Sequence, residues 1–396
     1  MARPILPVAG ATGWAATMAG AINDVSDRAD LALAGAGGTP GVVLLDSFAG
    51  ATDDDKLTAA LSYCAAQTQI PAVMLGNRLH NFNLTRTPFS GMKIIGGPGG
   101  PRNPELAGGK YITSRVKLGC GSGTSSWFVG AATYYDIYIA DIGFSGSSGS
   151  AAQQFWEQPL GAGSLYACEF HALGFDFMRY VFGRPSSMAA LTQVLFTGHW
   201  TVNNMWDTQF TIGGSDNDLW MSGYCNLGVS SSPAQTGTNG WMTVLSGMTN
   251  TRLGYLYASP LNGWNGWKIT GNSDGLDIYG GVSEGYKPDN RSAPGSVLRI
   301  DGGSGNVFGG NWGQGMYGGD PNSHGVVEVT GGEWNFWGPE FYRGSVAETV
   351  PMIYQSGGRI LVMGAKRRQA ESWTGRPRLQ SVGGTYYMPD GSMTAI

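Results

Sequence analysis

The sequence predicts an all-β protein built as a parallel β-helix, a solenoid of short strands, with a short helical segment at its N-terminal end. Three observations carry that expectation. Short strands ending in glycine recur along the chain: Thr211-Ile212-Gly213-Gly214, Val244-Leu245-Ser246-Gly247, Lys268-Ile269-Thr270-Gly271, Arg299-Ile300-Asp301-Gly302, Glu328-Val329-Thr330-Gly331 and Tyr354-Gln355-Ser356-Gly357. Their final glycines stand 33, 24, 31, 29 and 26 residues apart, inside the roughly 20–50-residue spacing of repeat folds. A second strand follows in each later repeat: Leu276-Asp277-Ile278-Tyr279-Gly280, Asn306-Val307-Phe308-Gly309, Asn335-Phe336-Trp337-Gly338 and Ile360-Leu361-Val362-Met363-Gly364, with glycine-to-glycine offsets of 9, 7, 7 and 7. The composition agrees: 65 of 396 residues are glycine, about twice the usual share, without the strict period of collagen. A propeller needs about four strands in repeats of 40 residues or more, and these repeats are too short.

Four regions follow one another. Residues 1–41 form an attachment segment and linker. Within it residues 14–32 read as a helix whose apolar positions are Met18, Ile22, Val25, Ala29 and Ala32. Alternating steps of four and three are the seam of a coiled coil. Two heptads do not hold together alone, so the seam forms where a larger body already joins the chains. The competing reading is a lone amphipathic helix lying on its own domain. Pro4, Pro7, Gly10 and Gly13 interrupt the apolar start of the chain and argue against a signal peptide. Glycine and proline between positions 35 and 41 make the linker.

Residues 42–100 form the entry cap. A strand, Val42-Val43-Leu44-Leu45, leads through Ala49-Gly50-Ala51 to Thr52-Asp53-Asp54-Asp55 and a helix over residues 56–67. Thr52 or Asp53 is a natural N-cap, and carboxylates in the first turn suit the helix dipole. Leu57, Leu61 and Cys64 share one face, and strands at Pro71-Ala72-Val73-Met74-Leu75 and His80-Asn81-Phe82-Asn83-Leu84 follow. This loop, Thr-Asp-Asp turn, short helix and strand pair resemble the entry segment of the pectate-lyase-like β-helix superfamily found in many phage tail spikes. The resemblance spans residues 45–84, and the loop lacks the Gly-Asp-Gly run usual in that family. It implies a right-handed parallel β-helix with the helix plugging its first coil, and structural rather than catalytic aspartates.

The solenoid occupies residues 101–368, and residues 369–396 form a C-terminal capping tail. Around Gly383-Gly384-Thr385-Tyr386-Tyr387-Met388-Pro389-Asp390-Gly391 the tail reads as hairpin-like. An open solenoid end must be covered, and a homotrimer would also cover it.

Charged residues make up 13% of the chain and the net charge is −4, which offers no footprint for nucleic acid. Lys366-Arg367-Arg368 is too short to track phosphates and reads as a solvated turn. No stretch of 18 or more strongly apolar residues calls for membrane insertion. Cys64, Cys120, Cys168 and Cys225 stand apart, as do the four histidines, so neither a disulfide frame nor a metal site is expected. No phosphate-binding loop or dinucleotide fingerprint appears, and no cofactor is expected.

Carboxylates and aromatics concentrate in residues 262–340. Asp274, Asp277, Glu284 and Glu333 are the candidate catalytic groups, because glycoside hydrolysis needs two carboxylates. Trp264, Trp267, Trp312, Trp334 and Glu340 are the candidate glycan contacts, since indole faces suit pyranose rings. The competing reading places such tryptophans in the core, and Phe336 and Trp337 must point to opposite faces. Asp216-Asn217-Asp218 reads as an Asx turn. Together with the resemblance, this implies a virion tail spike or fibre. Such a protein is made in the host cytoplasm, is held to the phage tail or baseplate by its N-terminal segment, and acts outside on host cell-surface polysaccharide. The alternative is a depolymerase, either glycoside hydrolase or polysaccharide lyase.

Overall fold

The computed structural model describes residues 41–97, 114–119, 126–146, 154–203, 210–213, 219–221, 225–228, 241–259, 265–283, 296–313, 326–342, 351–367 and 376–396, apart from single positions 177, 185, 199, 255, 272 and 281. The N-terminal helix expected at residues 14–32 and Asp216-Asn217-Asp218 lie outside the described residues.

The chain is a parallel β-helix. Among the described residues there are three long sheets: sheet 1 with thirteen strands, from Val42–Leu44 to Thr385–Tyr387, and sheets 2 and 3 with eleven each. Sheet 2 runs from Leu79–Phe82 to Lys366–Arg367, and sheet 3 from Ser126–Val129 to Thr394–Ala395. Each strand pairs in parallel with the strand one coil later, as Asn306 with Asn335 in sheet 1 and Arg299 with Glu328 in sheet 3. A short fourth sheet joins Tyr134–Tyr135, Leu165–Tyr166 and Leu191–Thr192.

The register is the one that the glycine-ended repeats imply. Thr211, Val244, Lys268, Arg299, Glu328 and Tyr354 form one column of sheet 3. The second strands stack as Ile278, Val307, Phe336 and Val362, all buried. Alternation then decides the rest, because side chains one position away must face the other way. Gly332 shows why glycine recurs at the corners. Its φ is +84°, and a Cβ there would lie 2.2 Å from the carbonyl oxygen of Gly303. Coils stacked this closely leave no room for a side chain on that corner.

The core is aromatic in its N-terminal half, where rings on successive coils stack, as Phe144 on Phe175 at 5.3 Å. In the later coils it is mostly aliphatic, with Trp334 set over Gly305. A Cβ on Gly305 would come within 2.8 Å of that indole, so the glycine makes the space that the tryptophan fills.

At the N-terminal end, helix α1 (Asp53–Ala65) covers the first coils with Leu57, Ala60, Leu61 and Cys64. Thr52 caps it, accepting from the Asp55 amide at 3.1 Å while the Asp55 carboxylate accepts from the Thr52 amide at 3.0 Å. The neighbouring aspartates tie the helix to the solenoid. Asp54 accepts from the Asn83 amide at 2.7 Å and from Arg86 at 2.5 Å, and Asp53 accepts from Arg78 at 2.6 Å. Their work is structural, in line with the resemblance.

Two expectations are corrected. Residues 378–395 do not form a hairpin: Arg378–Ser381, Thr385–Tyr387 and Thr394–Ala395 each add a parallel strand to an existing sheet. The coil's pairing edge offers every backbone group a partner, which a local turn could not. Lys366 and Arg367 likewise form a strand of sheet 2 rather than a turn, pairing with Glu340 and Phe341. Among the described residues no helix is long and apolar enough to cross a membrane. Cys64 and Cys168 are buried free thiols.

Candidate functional site: the outer face of sheet 1

Strand alternation sends three columns outward from the C-terminal half of sheet 1. The first is polar: Asp277, Asn306 and Asn335 occupy successive coils. They form a ladder in which Asn306 Nδ2 donates to Asp277 Oδ1 at 2.9 Å and Asn335 Nδ2 donates to Asn306 Oδ1 at 3.0 Å. Two positions along each strand stand Tyr279, Phe308, Trp337 and Met363. Tyr279 is 41% exposed, and its ring stacks on Phe308 with centroids 5.0 Å apart and planes 11° apart. Two positions the other way stand Ser304, Glu333, Arg359 and Thr385.

Hydrogen bonds join the columns. Trp337 Nε1 donates to Asn306 Oδ1 at 3.3 Å, and the Tyr279 hydroxyl donates to Asp277 Oδ2 at 3.3 Å. Desolvation, then the Asp277 carboxylate, pushes the Tyr279 phenol above its ordinary range. Glu333, Arg359, Asn335, Asn306 and Tyr387 line a cleft of about 380 Å³ on this face. Indole and phenyl faces beside amides and carboxylates are the chemistry that holds a sugar ring: apolar C–H faces against rings, hydroxyls against amides.

Among the described residues sheet 3 offers no comparable surface there. Its outward charges engage one another, with Asp301 held by Arg299 at 2.6 Å and by Lys268 at 3.2 Å, and Glu328 held by Arg299 at 3.4 Å. Burial works against the Asp301 carboxylate's charge, but the Arg299 and Thr330 hydrogen bonds outweigh it and hold that carboxylate below its ordinary range.

The sequence-expected site residues separate into three groups. Asp274, Asp277 and Glu333 come to this face. Asp274 accepts a hydrogen bond from the Ser304 hydroxyl, and Ser304 pairs with Glu333 one coil on, so Asp274 and Glu333 flank the same serine. Asp277 and Glu333 are two coils and two positions apart on the sheet. Glu340 lies on the adjoining sheet 2, half-buried. Glu284 and Trp264 lie outside the described residues.

The expected tryptophan contacts need correction. Trp267, Trp312 and Trp334 are 1%, 3% and 1% exposed and belong to the core. They sit at inward positions of their strands, where solenoid coils bury their largest rings. Of the rings in the outward column, Tyr279 and Phe308 were not singled out from the sequence. One signal marks them: each stands directly before the left-handed glycine that ends its strand, Gly280 or Gly309.

No protein-family model matches the sequence, and no curated protein matches it. Among solved structures the chain is similar to the A-module of the mannuronan C-5 epimerase AlgE4 of Azotobacter vinelandii, with a TM-score of 0.45 at 12% identity, covering 89% of this chain and 97% of that one. It is similar to the A-module of AlgE6 from the same organism, with a TM-score of 0.40 at 12% identity, covering 89% and 99%. The Dettilon tailspike protein gives a TM-score of 0.32 at 11% identity, covering 88% and 69%. At these scores and identities the neighbours say nothing about what this chain binds.

Proposed function

We propose that the chain is a glycan-binding tail spike or fibre protein that engages host cell-surface polysaccharide through the outer face of sheet 1. The observation that carries this reading is the outward column Tyr279, Phe308 and Trp337 alongside the polar ladder Asp277, Asn306 and Asn335. One ring and one amide or carboxylate recur in each coil, about 4.8 Å apart, a repeat close to the length of a sugar unit in an extended chain. A polysaccharide running along the solenoid axis meets the same pair at each coil. The capped entry helix, built as in pectate-lyase-like tail spikes, supports attachment to a virion, and the N-terminal segment is the part that would dock on the tail. Assembly as a homotrimer belongs to the same reading.

The test is retention on host cells or their purified surface polysaccharide. Trp337→Ala removes a half-exposed ring and is expected to weaken binding about tenfold, roughly 1.4 kcal/mol, without lowering the melting temperature by more than a few degrees. Unchanged retention in a Trp337→Ala, Phe308→Ala double variant would remove this face from the reading.

A second reading, a depolymerase, is favoured by Asp274 and Glu333 on either side of Ser304. Incubation with the polysaccharide followed by assays for reducing ends and for unsaturated sugars separates hydrolase, lyase and pure adhesin.

A further inference from the structure

A second group of titratable side chains stands on the same outer face, several coils toward the N-terminal end. Glu169 and His171 are two residues apart on the strand Glu169–His171, and Thr197 pairs with His171 one coil later. The Thr197 hydroxyl donates to Glu169 Oε1 at 2.6 Å. With its own hydrogen directed at Glu169, Thr197 Oγ1 accepts from His171 Nδ1 at 2.8 Å. That relay fixes the tautomer: Nδ1 carries the hydrogen, and Nε2 is left as an acceptor with no partner among the described residues. The imidazole is 37% exposed, as is the Glu169 carboxylate.

A phenol and a carboxyl share this surface. Tyr138 pairs with Glu169 in the preceding coil. Asp141 follows Ala140, the partner of His171, and its amide donates to the His171 carbonyl at 3.1 Å. Asp141 is held in the left-handed region at φ +58°, which turns it out of the strand. Burial raises the Asp141 carboxyl above its ordinary range against the opposing pull of His171. Burial, then Glu169 and Asp141, raises the Tyr138 phenol. The Tyr138 phenol therefore keeps its hydrogen and can donate it.

We propose that this cluster is a hydrolytic site for an ester substituent, such as an O-acetyl group, carried by a glycan on this face. An imidazole whose Nδ1 hydrogen is held by Thr197 presents Nε2 as a base for water, and its relay to a carboxylate steadies the imidazolium that forms. The Tyr138 O–H on the same face suits an oxyanion. In the first step His171 Nε2 takes a proton from water as the water oxygen bonds to the acyl carbon and the carbonyl electron pair moves onto its oxygen. In the second, that pair re-forms the carbonyl, the acyl carbon–sugar oxygen bond breaks, and the sugar oxygen takes the proton back from His171. One ester and one water become one carboxylic acid and one sugar hydroxyl. The glycan part rests on the function proposed above; the ester chemistry does not.

The experiment uses the full chain with two probes, O-acetylated xylan and 4-nitrophenyl acetate, reading acetate and nitrophenol. Wild type is expected to hydrolyse both, His171→Gln to lose about a hundredfold or more, and His171→Gly to regain nitrophenyl acetate hydrolysis when imidazole is added. Thr197 is a positioning residue, so Thr197→Val should lower kcat with KM little changed, and Thr197→Ser should restore it. Circular dichroism establishes that each variant is folded. Wild-type rates no faster than buffer on both probes, full activity in His171→Gln, or reducing ends released without acetate would each overturn the proposal. Hydrolysis of the small ester alone would uphold the site and count instead against glycan binding on this face.

Discussion

Trp334 and Trp337 lie three residues apart on one strand and have opposite fates. Trp334 is 1% exposed, and its indole N–H donates to the Gly302 carbonyl at 3.2 Å inside the coil. Trp337 faces outward on the aromatic column. The same residue type therefore predicts different losses. Trp334→Ala should open a cavity and cost about 3–5 kcal/mol, seen as a large drop in melting temperature. Trp337→Ala should weaken glycan retention and leave the melting temperature nearly unchanged. Equal stability losses in both would contradict the facing assigned to them. Asp46 offers a test by titration. The Arg78 guanidinium holds its carboxyl at about 2, from an ordinary 3.8, against a smaller opposing effect of burial. A carboxylate lowered in the folded state stabilises fully above its ordinary value and loses that contribution as the pH falls through its folded one. Wild type should therefore lose melting temperature between about pH 4 and pH 2, and Asp46→Asn should lose less over that interval.

At the level of elements, corners and caps do more to fix the fold than strand propensity. Gly332 and Gly309 both have positive φ, +84° and +64°, yet only Gly332 is crowded by the coil beside it. Gly309 has open space around the Cβ it lacks. Gly309→Ala should cost about 1–2 kcal/mol for the left-handed backbone alone. Gly332→Ala carries that strain and a clash with backbone that cannot move without parting the coils, so its loss should be clearly larger. Denaturant midpoints of the two variants decide it, and equal midpoints would mean that the coils tolerate separation at that corner. The entry helix was readable in the sequence because its signals are local: a capping threonine, acidic first turn and one apolar face. What Asp53 and Asp54 bond to was not readable, since Asn81, Asn83, Arg78 and Arg86 are brought back to them by the first coil.

For the molecule as a whole, thirteen strands in sheet 1 make a rod on the order of 60 Å along that sheet. The proposed sugar face and the proposed ester site share its outer surface, so one extended polysaccharide lying along the axis would pass both. The proposed homotrimer is checked by light scattering of the full chain, which should give three times the 41.7 kDa chain mass. A folded species at the single-chain mass would remove the trimer and the coiled-coil reading of Met18, Ile22, Val25, Ala29 and Ala32.

The sequence by itself determined the repeat, the register of its strands and the place of the entry cap. Glycine at a left-handed corner and strict alternation along a strand are properties of a few consecutive residues, so they can be counted from the chain. It also determined that Phe336 and Trp337 face apart. Only the tertiary structure decided which of the two faces outward, because alternation is the same whichever side holds the core. For the same reason Trp267, Trp312 and Trp334 proved to be core residues, while Tyr279 and Phe308 lie on the surface. The His171–Thr197–Glu169 relay has no signal in the sequence at all. Thr197 stands 26 and 28 residues from His171 and Glu169, coil lengths vary, and only the stacking of one coil on the next sets it within hydrogen-bonding reach of them.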